Sequence, residues 1–191
     1  MLRGYPRNCR RSIKAIEKRL AALEGRSVSL RFLPGLTADR SYIYSNQEYG
    51  QPVHAGSFIR KRQIVLDQEL REEPKELARI LVHELFHFVW VRLGNPTRRS
   101  YELLLREEWK QRARGELGWS AESRKRMLAD AALRTGGSPR WREYLCESFC
   151  DTAAWIYSGV RRHPEYTLAA RHRNRREEWF RRVFSAGAIP I

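Results

Sequence analysis

Residues 26–70 carry the polar and apolar pattern of a small sheet. Apolar and polar positions alternate from Val28 to Phe32, which is typical of a half-buried strand. Pro34-Gly35 then predicts a turn. The predicted strands are residues 28–32, 42–44 and 57–66, the last with a tight turn at Arg60-Lys61-Arg62. We expect these strands to form a small, mainly antiparallel sheet.

Helical periodicity takes over after this region. Glu72-Glu73-Pro74 is a favourable helix start, because acidic side chains suit the first turn and proline suits the first helical position. The segments with helical spacing are 12–23, 74–94, 100–115, 120–133, 140–158 and 164–184. The pattern predicts one α+β domain, divided into a basic N-terminal helical extension (1–25), a sheet region (26–70) and a predominantly helical region (71–191).

The composition is that of an ordinary globular chain with a large excess of positive charge. Hydrophobic residues make up 42% of the 191 residues and charged residues 31%. There are 37 Lys and Arg against 22 Asp and Glu, a formal net charge of +15. Such a surplus attracts nucleic acid or another polyanion, with the arginine-rich last helix as a candidate surface, or it is simply a solvated surface.

Three features bear on the compartment. No apolar run is long enough to span a bilayer, and the N-terminus lacks the apolar stretch of a secretory signal. The first sixteen residues contain no acid, which fits either an organelle transit peptide or, as we favour, a surface helix packed on the domain. The cysteines Cys9, Cys146 and Cys150 form no paired framework, so we expect a reducing, cytoplasmic location.

The sequence His83-Glu84-Leu85-Phe86-His87 is an HExxH motif. On a helix, residues four apart lie on one face, so His83 and His87 can bind one metal ion. Glu84 is turned by about 100° from His83, beside the metal, where it can accept a proton from a metal-bound water.

The helix around this motif is apolar on nearly every side, which predicts that it is buried. Two imidazoles and a carboxylate in a buried helix need partners, and a metal ion satisfies all three at once. The alternative is a pair of core histidines hydrogen-bonded to neighbouring residues.

A catalytic zinc site usually has three protein ligands, and the third is expected elsewhere in the chain. Glu147 is the preferred candidate because it lies in a second strongly apolar helix, where a carboxylate is rarely found unless it has a partner. Asp151 follows on the same face and can accept the distal N–H of a ligating histidine. Glu107 or Glu108 is the alternative carboxylate, and Cys150 is an alternative thiolate ligand.

The HELFH segment followed by a helical ESFCD segment resembles the gluzincin branch of the zincin metallopeptidases. The stretch ESFCDTAAWIY is also similar to the glutamate helix of ImmA/IrrE-type bacterial peptidases. The resemblance implies a zincin-like fold, with zinc held by His83, His87 and Glu147 and with Asp151 supporting one histidine. It also implies that the strand ending at Leu66 forms a cleft edge to which a peptide adds as an extended strand.

The leading hypothesis is therefore a zinc-dependent peptidase that acts on a protein or peptide, with one Zn²⁺ and with Glu84 as general base. Tyr144, Tyr157 and His163 are candidate donors to the developing oxyanion. The alternative hypothesis is a non-catalytic, metal-stabilised regulatory module that binds nucleic acid through its basic surface.

Overall fold

The computed structural model describes residues 2–20, 23–40, 42–128, 138–185 and 187–191. Within them the chain is a mixed α+β protein, as the sequence pattern predicts. The helices are α1 (Arg10–Arg19), α2 (Pro74–Arg92), α3 (Asn95–Lys110), α4 (Trp119–Arg126), α5 (Pro139–Tyr157) and α6 (Ala170–Phe184). The strands are β1 (Leu2–Arg3), β2 (Leu23–Glu24), β3 (Val28–Leu33), β4 (Leu36–Asp39), β5 (Tyr42–Ser45), β6 (Gln51–Pro52), β7 (Ala55–Phe58), β8 (Gln63–Asp67) and β9 (Ile189–Pro190).

The strands form three small sheets. A small antiparallel sheet is present as β5-β4-β6 and contains the predicted strand 42–44, whereas the predicted strands 28–32 and 57–66 form β3, β7 and β8 of the larger sheet. The larger sheet has the order β1-β3-β8-β7 and is mixed rather than mainly antiparallel, because β1 with β3 and β3 with β8 pair in parallel. Parallel neighbours need a crossover between them, and α1 supplies it from β1 to β3 while β4 to β7 lie between β3 and β8. A third pairing joins β2 to β9 in parallel.

Helix α2 is the centre of the molecule. It begins at Pro74, where proline costs no intrahelical hydrogen bond, and it packs against α5, α1 and the β7-β8 side of the larger sheet. Its apolar side chains are buried on several sides, including Leu81, Phe86 and Phe88. Burial against partners on several sides explains why its apolar residues are not confined to one stripe. Among the described residues, no helix combines the length and apolar character that crossing a membrane requires.

Two predicted helices start at different residues. Helix α3 begins at Asn95 rather than Ser100, because Pro96 lies in its first turn and starts the helix instead of only ending the previous one. Helix α6 begins at Ala170 rather than Pro164, because Tyr166 and Leu168 are buried in a separate apolar cluster. The predicted helices 12–23 and 120–133 extend in part outside the described residues.

A buried ionic network fixes α6 to the body of the protein. The Arg176 guanidinium donates to the Glu108 carboxylate at 2.6 Å and to the Glu116 carboxylate at 2.8 Å, and all three residues are inaccessible to solvent or nearly so. Lys125 Nζ and the Tyr144 hydroxyl also donate to Glu116, at 2.9 and 2.6 Å. The network thus links α3, α4, α5, α6 and the segment that precedes α4.

These partners keep Glu116 ionised in the interior. Burial alone would raise the pKa of its carboxyl, but the charges of Arg176 and Lys125 outweigh burial and lower the pKa to about 2. Because the folded-state pKa is lowered, the stabilisation is complete above the ordinary pKa of 4.5 and is lost as the pH falls toward 2.

Replacing Arg176 by methionine leaves Glu108 and Glu116 buried beside no guanidinium. We expect Arg176→Met to lower the free energy of unfolding by about 3–5 kcal/mol, measured by urea denaturation at neutral pH. The matched control is Arg175→Met on the exposed face of α6, which should change it by no more than about 0.5 kcal/mol. Equal effects of the two substitutions would contradict a special role for the network.

Candidate metal centre

The Nε2 atoms of the two histidines of the HExxH motif converge on one position beside α2. The Nε2 atoms of His83 and His87 are 3.2 Å apart, and both side chains are largely buried. One helical turn separates the two residues, which brings the imidazoles onto one face of α2.

Helix α5 brings Glu147 to the same spot. Glu147 Oε2 lies 3.3 Å from His83 Nε2 and 4.0 Å from His87 Nε2. Zinc–ligand bonds of about 2.0–2.2 Å in a tetrahedral arrangement place two ligand atoms roughly 3.4 Å apart. The three side-chain atoms therefore fit a single zinc ion, with the nitrogen and oxygen donors that zinc commonly takes.

Asp151 orients His83 through the ring nitrogen Nδ1. Its Oδ1 lies 2.7 Å from His83 Nδ1, so that imidazole donates there and keeps Nε2 for a metal. The other oxygen, Oδ2, accepts the backbone N–H of Ala121 at 2.9 Å. Gly118 allows this approach, because a Cβ atom there would lie 2.3 Å from the Asp151 carboxylate.

Glu84 lies beside the histidines and is oriented by a serine of the sheet. The Ser57 hydroxyl on β7 is 2.6 Å from Glu84 Oε2 and 2.8 Å from the Glu84 carbonyl oxygen, and it can donate to either. Glu84 is buried yet lines the cleft described below. A carboxylate held in this way can accept a proton from a molecule bound at the histidines.

An open cleft of about 310 Å³ gives access to the site. Its walls come from β7 and the following turn, α2, the start of α4 and α5. The lining residues are Gly56, Ser57, Ile59, His83, Glu84, His87, Val91, Ser120 and Glu147. A second hollow of about 410 Å³ adjoins the cleft and shares His83, Glu84 and Ser120 with it.

The strand at the cleft is not the one that the sequence predicts. Strand β8, which contains Leu66, lies inside the sheet between β3 and β7. The turn predicted at residues 60–62 reverses the chain, with Arg62 in the left-handed region at φ 50°, and this places β7 at the sheet edge. The cleft edge is therefore β7.

The acidic neighbours of the two histidines shift the pKa values of the site. Burial would raise the pKa of Glu147, but its hydrogen bond with His83 and the nearby His87 lower the pKa to about 2. Burial would likewise lower the pKa of His87, but Cys146 and Glu147 outweigh it and raise the pKa to about 9. The His83 pKa is also raised, against burial, by Asp151 and Glu147. The protein thus stabilises positive charge at these imidazoles.

The alternative carboxylates lie elsewhere. Glu108 forms the buried ion pair with Arg176, and Glu107 accepts a hydrogen bond from Gln111 on the exposed side of α3. Of the predicted carboxylate ligands, the structure brings Glu147 to the histidines and does not bring these two.

The predicted thiolate ligand Cys150 lies near one of the two histidines, His87. Donor atoms of His87, Cys146 and Cys150 lie within 4.8 Å of one another, which makes them a second possible metal group. Cys146 Sγ, however, is 3.4 Å from His87 Nδ1, the nitrogen that faces away from His83. We therefore interpret Cys146 as a side chain that orients His87.

The three predicted oxyanion donors are outside the cleft. The Tyr144 hydroxyl donates to buried Glu116, and Tyr157 stacks on Phe86 with ring centroids 5.4 Å apart. His163 Nε2 lies 3.1 Å from Glu76 Oε1, and its Nδ1 accepts the Glu165 N–H. None of the three lines the cleft.

Sequence reasoning missed Ser57, Gly118 and Ser120. Ser57 and Ser120 line the cleft from β7 and α4, far from the motif along the chain, and no local pattern marks them. Gly118 had one available signal, its position directly before the helix that starts at Trp119.

Comparison of the chain with protein-family models, curated proteins and solved structures finds no match. The interpretation of the site therefore depends on its own geometry: two imidazoles and one carboxylate that converge, a second carboxylate beside them, and a cleft.

Because Gly118 gives Asp151 its space, Gly118→Ala should displace the carboxylate that orients His83. We expect zinc affinity to fall by about 10–100-fold, measured by competition with a chromogenic chelator. The matched control is Gly187→Ala, where the added methyl meets nothing within 4 Å. Unchanged affinity in Gly118→Ala would show that Asp151 does not support the metal site.

Proposed function

We propose that the protein is a zinc-dependent peptidase. The observation that carries the proposal is the convergence of His83 Nε2, His87 Nε2 and Glu147 Oε2, at 3.2–4.0 Å from one another, on a cleft that Glu84 also lines. Three protein ligands that leave a position facing a cleft are the usual arrangement of catalytic zinc, whereas structural zinc is enclosed by four.

The proposed roles follow from this geometry. His83, His87 and Glu147 would hold the zinc ion, which when bound would supply an acidified water, with a pKa of about 7, and a Lewis acid for a carbonyl oxygen. Glu84 accepts the proton of the attacking water and returns it to the leaving amine. Ser57 keeps the Glu84 carboxylate in place, and Asp151 keeps His83 in the tautomer that presents Nε2.

A polypeptide is the substrate class that the cleft fits best. Strand β7 lies at the edge of the larger sheet, and its residues Gly56 and Ser57 line the cleft beside the histidines. An extended peptide can add to such an edge through main-chain hydrogen bonds, which brings a peptide bond past the metal site. The adjoining hollow offers further room for residues of an extended chain.

We further propose that the enzyme works in the cytoplasm. Its three cysteines are free thiols, and Cys146 contacts the candidate ligand His87. A reducing compartment preserves such thiols.

The decisive experiment pairs metal content with proteolysis. Wild-type protein should contain one zinc per chain and cleave a dye-labelled unstructured protein such as casein. Glu84→Gln should keep its zinc and lose cleavage by at least about 10²-fold, because only the general base is removed. Glu147→Ala should lose the zinc, whereas Glu107→Ala, on the exposed side of α3, should keep both zinc and activity. Cleavage that persists in Glu84→Gln would refute the proposed mechanism.

Ser57 provides a finer test of how Glu84 is positioned. We expect Ser57→Ala to lower kcat by about 10–100-fold, since a hydrogen bond to a charged group is worth about 1.5–3 kcal/mol, while KM and zinc content stay unchanged. Ser57→Thr retains the hydroxyl and should restore most of the rate. A Ser57→Ala variant with wild-type kcat would show that Ser57 does not position the base.

A further inference from the structure

Helix α1 presents a row of cations to solvent. Arg10, Arg11, Lys14 and Lys18 are all exposed, and at about 100° per residue they fall within an arc of roughly 100°. Arg10, Lys14 and Lys18 are each one turn apart, which spaces them by about 6 Å along the helix. We call these four residues the cationic face of α1.

The protein leaves these charges without acidic partners. In the part of the chain that the structure describes, no carboxylate lies within ion-pair distance of any of the four. The one acid on α1, Glu17, accepts the backbone N–H of Leu2 at 2.9 Å. Four cations against the single carboxylate of Glu17 make this side of α1 locally positive.

The arginine-rich helix α6 is different. Arg176 is buried in its ionic network, Arg173 donates to the carbonyl oxygens of Leu168 and Tyr166, and Arg175 donates to Gln111. Arg173 and Arg176 thus serve the fold, whereas the contact of Arg175 with Gln111 is exposed to solvent. The cationic face of α1 is the better candidate for contact with an anionic partner.

The apolar side of α1 packs in the hydrophobic core. Ile13 and Ile16 are fully buried and Leu20 is 4% exposed, and α1 packs on α2. Helices that bind membranes insert their apolar face into the lipid, and this face is not available. No bulky apolar side chain accompanies the exposed cations on α1. Protein interfaces are typically built around such side chains, with lysine depleted, so this face is a poor match for one.

We propose that the cationic face of α1 docks on the phosphate backbone of duplex DNA, without reading base sequence. Regularly spaced cations suit regularly spaced phosphates, and arginine is well adapted to phosphate. The face carries no aromatic ring on which unpaired bases could stack and no Asn or Gln to read base edges. The major groove of B-form DNA is wide enough for a helix to lie along the phosphates at its edge, whereas the major groove of A-form RNA is too narrow for this. This inference goes beyond the proposed peptidase and does not depend on it.

The test is binding of the full-length protein to a fluorescent 20-base-pair DNA duplex across a salt series. Wild-type affinity should fall steeply with salt. In a variant with Arg10, Arg11, Lys14 and Lys18 all replaced by glutamine, which keeps helix propensity, the slope of log K against log[salt] should be shallower by about 3.6, or 0.9 for each lost contact. Binding at low salt should weaken at least tenfold.

A charge-matched control distinguishes the effect of this surface on DNA binding from the effect of the overall charge. Replacing the exposed α6 arginines Arg171, Arg175, Arg181 and Arg182 by glutamine removes the same charge and should leave the slope nearly unchanged. A second variant, Arg10→Lys with Arg11→Lys, should retain the wild-type slope. Equal loss in the α1 and α6 variants, or wild-type binding to anionic lipid vesicles or single strands but not to the duplex, would overturn the proposal.

Discussion

One buried carboxylate, that of Asp151, organises the candidate site. Its two oxygens face different elements: Oδ1 accepts from His83 on α2 and Oδ2 accepts from the backbone of Ala121 on α4. A carboxylate with only 3% of its surface exposed is stable only if both oxygens have partners. The same carboxylate therefore both orients the imidazole and docks α4. Gly118 is needed at its position because a larger residue would not fit against this carboxylate.

The Arg176 network stabilises the same region from the other side. Glu116, which binds Arg176, lies two residues before Gly118, and its carbonyl oxygen accepts the backbone N–H groups of Thr167 and Leu168. The segment that places Gly118 against Asp151 and Ser120 in the cleft wall is thus fixed at both ends, by Arg176 and by Asp151. Buried ion pairs often contribute little net stability, but they specify one arrangement of the groups they join. Here the arrangement that they specify is the wall of the cleft opposite β7.

How much the sequence predicts depends on whether a feature is local. The HExxH spacing places His83 and His87 on one face because helical geometry alone decides it. Glu147 could be selected because a carboxylate in an apolar helix needs a partner, and the structure places it at the two imidazoles.

Features that depend on tertiary packing could not be predicted from the sequence. Tyr144 and Glu108 belong to the Arg176 network, whose members are dispersed over five segments of the chain. The strand at the cleft edge also could not be identified, because hydrophobicity does not distinguish a central strand from an edge strand within one hairpin. The mixed pairing of the larger sheet depends on the crossover through α1, which is set by how that helix packs on α2.

The burial of acids adds to a positive surface charge that the composition already sets. Among the described residues, the buried charged side chains are mostly acidic, with Arg176 as the buried guanidinium, and the acids are Asp67, Glu84, Glu108, Glu116 and Asp151. Each acid whose partner is an imidazole, a serine hydroxyl or a backbone N–H is removed from the surface without removing a cation. The exposed charge is consequently more positive than the formal net charge of +15 indicates.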